Sequence, residues 1–122
     1  MVDTVCVIID GELMFFLYEG ALLRKSEMGD LEVSARDLAV IPRGVKFSVD
    51  LAASTARGYV CENYGEAFRL PETGLMGINT NASARDFEFP VASYDKTEQS
   101  TRIISKIEGK FFESEIPHSR LT

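Results

Sequence analysis

Pro42-Arg43-Gly44-Val45-Lys46-Phe47-Ser48-Val49-Asp50-Leu51 is the stretch on which the reading of the fold turns. Pro42 to Gly44 breaks the chain, because proline fixes its φ and lacks an N–H, while glycine reaches conformations closed to other residues. Beyond the break, Val45, Phe47, Val49 and Leu51 alternate with Lys46, Ser48 and Asp50. A period of two sends successive side chains to opposite faces of a strand. One face then meets a core and the other a polar surrounding. The expectation is a half-buried β-strand with all four apolar residues on the core side.

Upstream, residues 4–9 form an apolar run that reads as a buried strand. Asp10-Gly11 follows, a dipeptide suited to the positive φ angles of a tight hairpin, and residues 13–18 read as the returning strand. Glu19-Gly20 marks another turn, residues 21–28 a third strand and Gly29-Asp30 a further turn. Residues 31–34 and 38–41 are short strands around Arg36-Asp37. Downstream, residues 57–63 read as a strand, and 64–89 as a long loop rich in Gly, Asn, Pro and charge. A loop of that length is uncommon in a compact domain unless it has a job. Strand character resumes at 91–93 and 102–107, and Glu108-Gly109 turns into 110–114. No stretch holds apolar residues at helical spacing over several turns. About nine short strands with turns at this spacing predict a mostly β fold, a jelly-roll sandwich or barrel. Residues 95–101 are the most linker-like; no repeat, low-complexity tract or second domain is visible.

The 122 residues suit one domain, and 45% hydrophobic with 26% charged residues can bury one small core. Thirteen Lys and Arg stand against nineteen Asp and Glu, a net charge of −6. Nucleic-acid binding and adhesion to an anionic membrane both need a basic stripe, and the longest basic run is Arg24-Lys25. No apolar run approaches the length of a membrane span. The first ten residues lack the basic segment and cleavage site of a secretory signal, so a cytoplasmic location is expected. Cys6 and Cys61 are then reduced thiols, read as small buried hydrophobes in strands.

Subtraction limits the chemistry. The single histidine is His118, whereas a mononuclear iron oxygenase site uses two histidines and a carboxylate and a catalytic zinc site commonly two or three histidines. An all-oxygen site for Mg²⁺ or Ca²⁺ stays open, without a Ca²⁺-loop pattern to support it. The nucleophile elbow, the dinucleotide fingerprint and the P-loop are missing. Glu62 lies inside an apolar strand. It reads as one half of a salt bridge with a nearby arginine in preference to a site acid. Arg57 and Tyr59 are the possible contacts of a small-molecule pocket within the sandwich. No catalytic residue or metal ligand is assigned.

Two resemblances enter here. Pro42-Arg43-Gly44 is similar to the turn that, in cupin domains, precedes a metal-binding histidine three residues after the glycine. That position is Phe47, which implies a metal-free, cupin-like sandwich. The stretches 41–50, 57–65 and 68–72 resemble homogentisate 1,2-dioxygenase. So do Gly74-Leu75-Met76-Gly77-Ile78-Asn79, Arg85-Asp86-Phe87, Lys106 with Gly109-Lys110-Phe111-Phe112, and His118-Ser119. The matches are collinear from about residue 10 to 119. Departures fall in the long loop, where Leu75 and Ala84 replace prolines of the family, Ile78 an alanine and Thr80 a glycine.

The resemblance implies the central part of the family's N-terminal, non-metal β domain: residues 1–122 as a single β domain truncated at both ends. It implies an enzyme that opens the ring of homogentisate with O₂ and Fe(II) in tyrosine and phenylalanine catabolism. The family's iron ligands lie downstream, so none is carried over and this chain alone is expected to be inactive and to bind no iron. The family forms trimers and hexamers. The implied role is therefore scaffold and assembly surface, with the family's C-terminal iron domain and further copies of the chain as partners. Gly74, Gly77, Asn79, Arg85, Asp86 and Phe87 are the candidate interface or active-site-rim residues. The alternative is a stand-alone, metal-free cupin-like module that binds a partner or oligomerises without catalysis.

Overall fold

The structure, a computed structural model, describes residues 3–69, 86–93 and 100–117. Among them lie nine strands: β1 (Asp3–Ile8), β2 (Glu12–Glu19), β3 (Ala21–Ser26), β4 (Gly29–Ser34), β5 (Leu38–Ile41), β6 (Lys46–Leu51), β7 (Arg57–Asn63), β8 (Thr101–Ile107) and β9 (Lys110–Ile116). They form a six-stranded sheet in the order β4-β3-β6-β1-β8-β9 and a three-stranded sheet in the order β5-β2-β7. The fold is a β sandwich. All pairings between named strands are antiparallel except β1 with β8, which run parallel from Asp3 opposite Thr101 to Ile8 opposite Lys106.

Register decides which residues share a face. Leu13 stands opposite Ile41 and Glu62, and Phe15 opposite Ala39 and Val60, on the inner side of the small sheet. Cys6 and Ser26 flank Phe47 on the inner side of the large sheet. Two groups of buried side chains join the sheets: Leu13, Ile41, Val45 and Phe47, and Leu17, Val33 and Ala39. Phe15 packs against both, and its ring meets Phe47 edge-on at 6.3 Å. Fully burying a side chain of this size contributes about 1.5–3 kcal/mol.

The strands fall where the apolar patterning places them; several turns do not. Asp10-Gly11 is not a hairpin. β1 and β2 belong to different sheets, and Gly11 is not among the residues with positive φ. A Cβ at Gly11 would stand 2.9 Å from the Asn63 carbonyl oxygen, so the glycine provides room for a crossing chain. The β3–β4 turn is Glu27-Met28 rather than Gly29-Asp30, because Ser26 pairs with Gly29. The buried Ser26 hydroxyl organises it, donating to the Gly29 carbonyl at 2.8 Å and accepting from the Met28 N–H at 3.3 Å. Glu108-Gly109 is the two-residue hairpin the sequence predicts. Ile107 pairs with Lys110, and φ is 50° and 73° at the two loop residues, the left-handed pair a type I′ turn needs.

Three further expectations change. Val45 and Phe47 are buried, but Val49 is 39% and Leu51 60% exposed: the small sheet does not reach over the far end of β6. Cys6 is half-buried and Cys61 exposed, both as free thiols; Cys61 is paired with Met14 on the outer side of the small sheet. The strand expected at 91–93 is a single bridge, Val91 to Asp30.

Candidate functional site

The most organised polar group among the described residues spans the two sheets. Glu62 sits on β7 opposite the buried Leu13. Lys106 sits on β8 opposite Ile8, which packs against the core. The Lys106 ammonium donates to Glu62 Oε2 and, at 2.7 Å, to the Tyr64 hydroxyl. It also lies 5.1 Å from the Tyr64 ring centroid. The lysine and glutamate side chains are 15% and 18% exposed. Glu62 Oε1 is buried with no hydrogen-bond partner among the described residues, so among them the lysine is the carboxylate's main compensation. The salt bridge expected for Glu62 exists, with Lys106 as its partner in place of an arginine.

The electrostatics argue for structure over catalysis. The hydrogen bond to Glu62, then that to Tyr64, holds the Lys106 ammonium above its ordinary pKa of 10.5. A lysine that acts as base or nucleophile needs the opposite shift, towards neutrality. Close by, the Glu108 N–H donates to Asp10 Oδ2 at 2.6 Å, which ties the β8–β9 hairpin to the chain leaving β1.

The same end of the sandwich anchors the start of the long loop. The Phe68 N–H donates to the Glu12 carboxylate at 2.7 Å, and the Arg43 guanidinium to the Gly65 carbonyl at 3.0 Å. Of the six residues predicted to form an interface or rim, Gly74, Gly77, Asn79 and Arg85 lie outside the described residues. Asp86 is exposed and Phe87 half-buried. The returning limb reaches β4 through the Val91–Asp30 bridge.

Arg57 and Tyr59 do border one groove, about 190 Å³ in volume, lined by Phe15, Leu17, Leu22, Leu51, Ala56 and Val60. It is smaller than the roughly 300–1,000 Å³ usual for ligand pockets. Arg57 is engaged elsewhere: its guanidinium is 3.8 Å from the Glu19 carboxylate and 5.6 Å from the Tyr18 ring centroid. Tyr18 in turn stacks on Tyr59 at 6.0 Å.

Among the described residues, no group of three His, Cys, Asp or Glu is placed to hold a metal ion. The sequence carries one histidine, so its donor set does not fit a site of two histidines and one carboxylate. Sequence reasoning missed Lys106 as the partner of both Glu62 and Tyr64. No local signal joins them, because the contacts cross 44 and 42 residues of chain.

Fold and site define a β-sandwich module whose best-built polar feature is an ion pair pinning one sheet to the other. The chain belongs to the family described as homogentisate 1,2-dioxygenase N-terminal, whose family model matches residues 1–122. It is 47% identical over 119 residues to homogentisate 1,2-dioxygenase of Bradyrhizobium diazoefficiens, covering 98% of this chain and 27% of that protein. The same name, identity and coverage describe a relative from Rhodopseudomonas palustris strain BisB5. The relative from Nitrobacter hamburgensis is 44% identical, again over 98% of this chain and 27% of that protein. The chain thus spans about a quarter of the length of the curated relatives it matches. No helix of the described residues is long and apolar enough to cross a membrane.

Proposed function

We propose that this chain supplies the scaffold and assembly surface of a homogentisate 1,2-dioxygenase, an enzyme that cleaves the ring of homogentisate with Fe(II) and O₂ in tyrosine and phenylalanine breakdown. The observation that carries the reading is 47% identity across 98% of the chain to proteins of that name. The iron belongs to the parts of such a protein outside this segment, since one histidine cannot supply the ligand set. The role of these residues is to hold a rigid sandwich against the iron-bearing part and against further copies, in the cytoplasm. The long loop, with Gly74, Gly77, Asn79, Arg85, Asp86 and Phe87, serves as an interface or rim element.

The test is a chimera in which this chain replaces the matching segment of the Bradyrhizobium diazoefficiens relative. The expected result is an assembled protein that takes up Fe(II) and consumes O₂ with homogentisate. A folded, iron-loaded chimera without that activity overturns the reading. So does stoichiometric Fe(II) bound by the isolated 122-residue chain. Deleting residues 70–85 from the chimera is expected to impair assembly or activity; no change in either removes the loop from the proposal. The alternative, a metal-free binding or oligomerisation module, predicts a native protein of 13.6 kDa in its source cells.

A further inference from the structure

Residues 64–68, the first limb of the long loop, are held by three distant elements. The Tyr64 hydroxyl accepts from the Lys106 ammonium at 2.7 Å. The Gly65 carbonyl accepts from the Arg43 guanidinium at 3.0 Å, and the Phe68 N–H donates to the Glu12 carboxylate at 2.7 Å. Asn63 adds two local bonds, accepting from the Gly65 N–H and donating to the Glu66 carbonyl. Bonds of that local kind are common wherever an asparagine opens a turn. The other three cross 42, 22 and 56 residues of chain. They come from β8, from the β5–β6 turn and from β2. Lys106 also joins the sheets through Glu62. Arg43 is exposed and Glu12 half-buried, so neither belongs to the core, and what they hold is the limb.

The returning limb has a foothold of its own. Val91 bridges Asp30 on β4, and Gly29 beside it has a φ of +119°. A Cβ at Gly29 would run into the Val91 carbonyl oxygen, so the missing side chain lets this limb lie against the strand. Fixing both ends of a segment narrows where its middle can reach and lowers the entropy it loses on docking. Catalysis is sensitive to such placement: a shift of about 1 Å from a distant change can cost roughly a hundredfold in rate.

We propose that Glu12 and Arg43 are positioning residues, which set the course of the long loop towards the surface on which it acts. The proposal rests on the reading of that loop as an interface or rim element and names the side chains that aim it. The test uses the chimera with the Bradyrhizobium diazoefficiens relative. It reads whichever quantity deletion of residues 70–85 impairs, kcat/KM or the strength of assembly. Glu12→Ala with Arg43→Ala is expected to lower that quantity by roughly tenfold or more, at the Tm and Fe(II) content of the parent chimera. Glu12→Gln keeps an acceptor for the Phe68 N–H and is expected to retain most of it.

A double variant at the parental level, beside a deletion that impairs, overturns the positioning role and leaves the loop reading standing. A deletion without effect overturns both. A loss that only follows a fall in Tm and Fe(II) content marks a merely structural role and overturns the proposal, as does a loss in Glu12→Gln equal to that in the double variant. If the double variant does not fold, hydrogen exchange on the parent chimera decides. A Phe68 amide protected like the amides of β7 supports the proposal; one that exchanges at open-chain rates overturns it.

Discussion

The two ends of the sandwich are built from the same strands and differ in nearly everything else. At one end Leu13, Ile41, Val45 and Phe47 are buried, and the Glu62–Lys106 pair closes the gap between the sheets. At the other end β6 and β7 carry Leu51 and Val60, 60% and 62% exposed beside an open groove. Alternation in the sequence is as regular at Val49 and Leu51 as at Val45 and Phe47. It fixes which face of a strand is apolar, but how far the opposite sheet covers that face is set by strands distant in sequence.

Substitutions can break this contrast. The largest effect is expected from Phe47→Ala at the closed end, a loss of about 3–5 kcal/mol by urea unfolding. Leu51→Ala at the open end is expected to cost under about 1 kcal/mol, because a side chain still in water loses little on truncation. Equal costs would show that the groove is filled in solution.

Lys106→Met comes next, since it strands a largely buried carboxylate. A Lys106→Met, Glu62→Leu double variant is expected to recover most of the lost thermal stability. The raised pKa of Lys106 adds a pH signature. A group held above its ordinary value contributes fully below about 10.5, and loses that contribution as pH rises through the higher folded-state value. Wild type should therefore lose more stability than Lys106→Met on titration from neutral into strongly alkaline solution. Parallel curves would sink this assignment.

Gly109→Ala probes a site away from both ends. Its φ is +73° with open space around it, so only backbone strain acts, a cost of about 1 kcal/mol. The smallest perturbation is thiol labelling under native conditions. Cys61 is exposed, whereas burial pushes the Cys6 thiol up in pKa and keeps it protonated. Cys61 should react first and Cys6 only on unfolding; labelling of both at one rate would mean that the sheets separate readily.

Much of this architecture was legible beforehand, for local reasons. Strand positions follow from alternation and from breakers such as Pro42 and Gly109. Those signals live within a few residues, so β5, β7 and the β8–β9 hairpin fall where expected. The Asp10-Gly11 turn misled because a dipeptide that suits a hairpin also suits a crossing between sheets; only the position of Asn63 distinguishes them. Cys61 misled because a thiol in an apolar strand suits either face, and the pairing with Met14 puts it on the outer one. The site was half legible. A carboxylate in an apolar strand announced a partner, but Lys106 becomes that partner only once β8 lies beside β1.

That neighbour relation also orders the birth of the fold on the ribosome. β1 lies between β6 and β8, and its parallel mate begins at Thr101. At roughly 5–20 residues per second, β1 waits about 5–20 s for the strand that completes its pairing. Throughout that interval the nascent chain carries an open edge at β1. A ribosome pause before residue 100 would therefore lengthen the exposure of that edge.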